Sequence, residues 1–180
     1  MENTSRSHGT FLLLVTCALA LAGCSIKTEG LIPDQPVTTG RQIDRTVRVM
    51  TVEGGRASSF GREAYITNEQ YRDALFQTLT EANLFSGVVK SGSADWNLHS
   101  EIITITTEAG ISPTYAIVVQ YWLVDPGSGE EFWRKGINTR HHVNWNEAFA
   151  GGTRVIMAVE GATKKNLTQL VQALSNADLR

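Results

Sequence analysis

From Arg45 onward, apolar and polar positions follow two different periods, and each change of period marks an element. Val47, Val49, Met50 and Val52 within Arg45 to Glu53 predict a first strand. It is ended by Gly54-Gly55, which strand interiors disfavour. Thr67-Asn68-Glu69-Gln70 spells a capping box, with the Thr67 hydroxyl placed to accept from the third amide and Gln70 placed to reach back. Behind it Tyr71, Leu75 and Leu79 recur every fourth residue beside Ala74, Thr78 and Ala82. A helix with one apolar stripe follows, closed at Asn83-Leu84-Phe85-Ser86-Gly87.

The period then falls to two. Between Ala94 and Ile105, Trp96, Leu98, Ser100 and Ile102 share one face, and Asp95, Asn97, His99 and Glu101 share the other, which predicts a strand with one buried and one wet face. Tyr115 to Val124 is apolar on both faces and is expected in the centre of the sheet with its second face covered. Asp125-Pro126-Gly127-Ser128-Gly129 supplies a turn, because proline fixes one φ and glycine admits positive φ. Glu130 to Thr139 returns as a fourth strand, with Phe132 and Trp133 on opposite faces.

Arg140 to Gly152, RHHVNWNEAFAGG, has no regular period and reads as a loop. Thr153 is the expected cap of a long final helix. Its stripe is Val155, Ile156, Val159, Ala162, Leu167, Leu170, Val171 and Leu174, opposed by Arg154, Glu160, Lys164, Lys165, Gln169 and Gln172. Gly161 interrupts this helix at about 1 kcal/mol relative to alanine, which implies a bend or the close approach of another element. The order β-α-β-β-β-α predicts an α+β fold. It is a two-layer sandwich in which a mostly antiparallel four-stranded sheet carries both helices on one face.

The first two dozen residues obey a different logic. Phe11 to Ala22 is mostly apolar, follows a short polar stretch with Arg6, and ends in small residues, the layout of a secretory signal peptide. As a helix it would span roughly 18 Å, well short of the ~30 Å hydrocarbon core. Leu21, Ala22, Gly23 and Cys24 at its end resemble the bacterial lipobox. That resemblance implies a lipidated Cys24 and removal of residues 1–23. It also implies stable membrane anchoring through two or more acyl chains. In Gram-negative lipoproteins of this kind an aspartate after the cysteine favours inner-membrane retention. Ser25 stands there, so the expected location is the outer membrane, facing the periplasm, or the cell membrane if the source is not Gram-negative. Residues 24–44, with two of the chain's 4 prolines and no apolar period, are expected to form the lipidated cysteine and a flexible tether. An arm packed through Leu31, Ile32 and Val37 is the alternative. Residues 45–180 then form a single domain.

Composition narrows the chemistry. The two cysteines are Cys17, inside the removed segment, and Cys24, so the mature domain has no disulfide, thiolate metal site or cysteine nucleophile. A net charge of −2 with scattered basic residues gives no stripe for nucleic acid. The glycine-rich GGRASSFGRE run lacks the ending of a phosphate loop and the spacing of a dinucleotide fingerprint. Ser58, Ser59 and Ser128 lie outside any Gly-x-Ser-x-Gly elbow, and no carboxylate pair is placed for glycoside hydrolysis. His141 and His142, with His99 and Glu147 as further donors, are adjacent strand residues that point to opposite faces, so no metal site or cofactor is expected.

The element order resembles that of small periplasmic domains in the curli-secretion lipoprotein, in lipoprotein activators of peptidoglycan synthases and in the N-terminal domain of the Tol-system β-propeller protein. The resemblance implies a non-enzymatic protein-binding or assembly module of the envelope. A membrane-tethered hydrolase or small-ligand-binding protein is the alternative, expected to bring His99, Glu101 or His141 together in a polar pocket. For an envelope protein partner, the candidate contacts are Trp145, Phe149 and His141, because aromatic side chains on a loop offer large contact area at low entropic cost. The His99–Glu101 face is the next candidate surface.

Overall fold

The structure, a computed structural model, describes residues 26–57 and 65–179. The predicted signal peptide, Cys24, Ser25 and the middle of the glycine-rich loop with Ser58 and Ser59 lie outside the described residues. The elements are α1 (Thr28–Leu31), β1 (Ile43–Glu53), α2 (Asn68–Ala82), β2 (Phe85–Val89), β3 (Trp96–Glu108), β4 (Thr114–Val124), β5 (Glu131–His142) and α3 (Gly151–Asn176). The strands form one sheet in the order β2-β1-β3-β4-β5. β1 runs parallel to both β2 and β3, whereas β3, β4 and β5 are antiparallel.

The α+β class agrees with the sequence, and two details of the sheet do not. It has five strands rather than four, and it is mixed rather than mostly antiparallel. The added strand, β2, is the FSGVV segment expected only to close the helix. Its five residues include Gly87 and show no alternation to announce them. What makes them a strand is the free edge of β1, against which Phe85 to Val89 pair. Asn83 does end α2, with φ 49° and ψ 34°, the left-handed conformation that closes helices. At the other end of α2 the capping box forms as expected. The Thr67 hydroxyl accepts from the Gln70 amide at 3.1 Å, and the Gln70 side chain accepts from the Thr67 amide at 3.0 Å.

Both long helices cover the same face, α2 over β1 and β2 and α3 over β4 and β5, touching each other between. Inward along β4 lie Tyr115, Ile117, Val119, Tyr121 and Leu123, all buried. They meet Val159, Ala162, Leu167, Leu170, Val171 and Leu174 of the α3 stripe in one core. The start of α3 differs from expectation: it begins at Gly151 with Ala150 as cap residue, so Thr153 lies inside the helix and caps nothing. Phe132 and Trp133 also differ. An irregularity in the β4–β5 register at this point lets both pack against the core instead of pointing to opposite faces.

Residues 26–42 are not a free tether. Ile26, Leu31 and Ile32 are buried in the core, and the Ile26 carbonyl accepts from the Gln70 side chain at 2.7 Å. Gly30 lies so close to the Glu160 carboxylate that any side chain there would collide with it, and Asp34 pairs with Lys164. Arg41 donates to the Ala177 carbonyl at 2.6 Å. The segment therefore runs across the helical layer from the start of α2 to the end of α3. Its few apolar side chains lack a period because they fill a groove rather than line a face.

Where α2, β4 and α3 converge, the Tyr71 and Tyr121 hydroxyls hydrogen-bond to each other and both lie against Asn166 Oδ1, so that with one proton each Tyr121 donates to Asn166 at 2.6 Å and Tyr71 donates to Tyr121. The Asn166 amide donates in turn to the Ile137 carbonyl at 3.1 Å and to Thr139 Oγ1 at 3.2 Å. Burial pushes both phenols up, so they stay protonated donors.

Leu170 is fully buried beneath α3 while Gln169, one residue round the helix, is exposed. Leu170→Ala should lower the unfolding free energy by about 2–5 kcal/mol and Gln169→Ala by well under 1 kcal/mol, measured as denaturation midpoints. Equal small shifts would mean that a different face of α3 packs on the sheet.

Candidate functional site

The outer face of the sheet is built by the side chains that alternate with the core. Cross-strand pairing sets His99 beside Trp122 and Trp122 beside Arg134. The His99 ring stacks on Trp122 with centroids 5.2 Å apart and planes 12° off parallel, and the Arg134 guanidinium lies 4.8 Å from the same ring centre. Glu131 fixes Arg134 by a two-pronged ion pair. Burial, then the Arg48 charge, lowers the His99 pKa, so the imidazole is neutral at pH 7. The next rows across β3, β4 and β5 are Glu101–Gln120, Thr104–Val118–Asn138 and Thr106–Ala116–Arg140.

This face departs from expectation in two ways. No helix among the described residues covers the second apolar side of β4. Ala116, Val118, Trp122 and Val124 are half-buried, Trp122 beneath His99 of β3 and Arg134 of β5. The alternation of β3 also changes phase: a bulge between the Ile102 and Thr104 pairs leaves Ile103 53% exposed and turns Ile105 inward. At one corner the β2–β3 connection crosses β1, held by Arg48 donating to the Gly92 carbonyl at 2.8 Å.

A second surface lies at the end where β3 finishes, β4 starts and β5 finishes, since Glu108 pairs with Thr114 and Thr114 with His142. Ile111 in the β3–β4 turn is 74% exposed. In the β5–α3 loop Trp145 is 68% exposed and Phe149 is fully exposed. The loop carrying these aromatics is fastened at several points. The Val143 amide donates to the Pro113 carbonyl at 3.0 Å, Glu147 accepts from the Asn144 amide at 2.7 Å, and the Arg154 guanidinium gathers the carbonyls of Trp145, Ala148 and Phe149.

The other sequence candidates separate. His141 is half-buried and faces inward under α3, where a Cβ added at Gly161 would sit 2.2 Å from its ring, whereas Trp145 and Phe149 are exposed. The close approach that Gly161 implied is this one. His142 points the other way, its Nδ1 3.0 Å from Thr114 Oγ1. His99 and Glu101 lie on the opposite face of the sheet from His141, so the three do not converge. Among the described residues no group of three His, Cys, Asp or Glu side chains could hold a metal ion. The Trp122 stack escaped sequence reasoning because it needs the β3–β4–β5 register, which no local pattern encodes. His99 within an alternating strand was its only signal.

Geometry of this kind defines a class by fold alone. No family model matches the chain, and no curated protein matches its sequence. Among solved structures, the fold is similar to that of a Xanthomonas campestris protein of family DUF330. The TM-score is 0.59 at 13% identity, over 80% of this chain and 93% of that one. It is likewise similar to a hypothetical protein of Chlamydia trachomatis, TM-score 0.56 at 11% identity, over 74% of this chain and 96% of that one. A putative lipoprotein from Caulobacter crescentus matches at TM-score 0.48 and 12% identity, over 72% of this chain and 87% of that one.

The His141 imidazole is held below its ordinary pKa by burial, then by the Lys165 charge, and its Nδ1 has no hydrogen-bond partner among the described residues. A depressed histidine pKa stabilises the fold fully above the unfolded value near 6.5, and that stability is lost as pH falls through the folded value. His99 acts in the same direction, whereas Glu160, raised by burial, opposes them at lower pH. Tm should therefore fall on acidification from about pH 7 to 5.5, and His141→Gln should flatten that slope. An unchanged slope would mean that the ring is protonated in the fold.

Proposed function

We propose that this chain is a lipid-anchored protein of the cell envelope that serves as a non-enzymatic protein-binding or assembly module. In this reading Cys24 carries the lipid, the domain faces the periplasm from the outer membrane, and a folded envelope protein docks on the outer face of the sheet. The single observation that supports a docking role is the one-sided cover of the sheet. Both long helices lie on one face, and the other presents an apolar strip along β4 flanked by mixed charge on β3 and β5. Such a broad surface suits a protein partner. Small-molecule sites are concave and convergent, and the candidate histidines and carboxylate here are divided between opposite faces.

The anchor and the docking face are tested separately. Cys24→Ala should abolish incorporation of labelled fatty acid and leave the precursor unprocessed, because the cysteine that remains, Cys17, lies inside the apolar segment and not directly after Leu21-Ala22-Gly23. Labelled Cys24→Ala protein would refute the anchor. For the face, a photo-crosslinking residue at Thr104, exposed on the sheet, should give a discrete adduct in intact cells. The same residue at Gln172, exposed on α3, should give none. Equal adducts at both positions, or none at Thr104, would remove the sheet face as the docking surface.

A further inference from the structure

The two ends of the domain differ, and the lipid anchor is tied to one of them. β1 runs towards the end where α2 and α3 begin, and Ile26 is held there by Gln70 in the first turn of α2. Because Ile26 is buried, Cys24 lies only two residues from the packed domain, a reach of at most about 7 Å. The tether that would hold the domain away from the bilayer is instead part of its core.

Ile111, Trp145 and Phe149 occupy that same end. β3 and β4 continue past the last β1 pair, Glu53 with Glu101, up to Glu108 and Thr114, roughly 20 Å at the usual rise per strand residue. The end is therefore a slope, with the chain's N-terminal exit at its foot and the three apolar side chains at its crest. Arg154 binds the loop carbonyls, so Trp145 and Phe149 are held outward by a fixed backbone. Of the carboxylates beside the crest, Glu108 is paired with Arg140 at 2.7 Å, which limits repulsion from anionic lipid, while Glu147 is bound by the Asn144 amides and keeps its charge. Tryptophan is enriched at the lipid–water interface, where its ring is partly apolar and its N–H stays wet. Phenylalanine and isoleucine gain by leaving water.

We propose that this sloping end is a membrane-contact surface. The domain lies against the bilayer that anchors it, with Ile111, Trp145 and Phe149 inserted at headgroup depth, so that lipid and loop together fix its orientation. The inference rests on lipidation of Cys24. It assigns Trp145 and Phe149 to lipid and leaves the outer sheet face directed along the membrane for a protein partner.

The test uses the mature lipoprotein in phosphatidylethanolamine–phosphatidylglycerol vesicles. With Cys24 blocked by its thioether, a cysteine introduced at Ala150 or at Ser128, in the β4–β5 turn at the opposite end, is the sole free thiol for a fluorescent probe. Shallow spin-labelled lipid should quench the Ala150 probe severalfold more than the Ser128 probe. Trp145→Ala/Phe149→Ala should bring the Ala150 signal down to the Ser128 level while near-ultraviolet dichroism, less the Trp145 contribution, and flotation with the vesicles persist. Equal quenching at both positions on protein that floats would overturn the membrane contact and leave the lipid anchor standing. Protein that carries no fatty acid and does not float would overturn both. A probe in water on pure lipid vesicles but shielded in native envelope membranes would assign the end to a protein partner and likewise overturn the proposal.

Discussion

One buried polar junction fixes how the layers sit on each other. Tyr71 of α2, Tyr121 of β4 and Asn166 of α3 meet in the interior, and Asn166 reaches on to the Ile137 carbonyl and Thr139 on β5. Polar groups sealed from water must be paired, and an unpaired one costs about 1–3 kcal/mol. An apolar stripe by itself tolerates sliding, since one leucine replaces another with little change. The junction does not, because a shift of α3 by one turn would orphan several hydrogen-bonding groups at once.

With α3 held in place, several other features follow. Thr139 donates to the Ala162 carbonyl at 2.8 Å, and His141, two residues on, comes to rest against Gly161, where no side chain blocks the close approach of its ring. The first turn of α3 then projects past the sheet, where Arg154 meets the preceding loop and sets the aromatic tips. The flank of the same helix receives the N-terminal arm through Glu160 beside Gly30 and Lys164 beside Asp34. One packing register thus positions the exposed loop and the start of the described chain together.

The helical layer covers only one side of the sheet, and this asymmetry separates stability from contact. Inward residues of β4 join a continuous core, while its outward residues meet no helix among the described residues, and Trp122 is shielded by His99 and Arg134. A surface half-covered in this way keeps apolar area available without the helix that a doubly covered sheet would carry.

The sequence by itself determined what depends on neighbours a few positions apart. The Thr67–Gln70 box, the α2 and α3 stripes, the buried face of β3 as far as Ile102 and the Asp125–Gly129 turn all arise from periods of four or two, or from the fixed dihedrals of proline and glycine. It also marked Trp145 and Phe149, because no core period required them. Tertiary structure decided everything that joins distant segments. Phe85 to Val89 became a strand only because β1 offered an edge, and residues 26–42 packed only because two helices left a groove. His141 turned inward because Gly161 made room, and the phase of β3 shifted at a bulge with no local mark. Local patterns record the face a residue turns; which element waits on that face is set by the chain as a whole, where apolar surfaces compete for cover and a buried polar group left unpaired costs free energy.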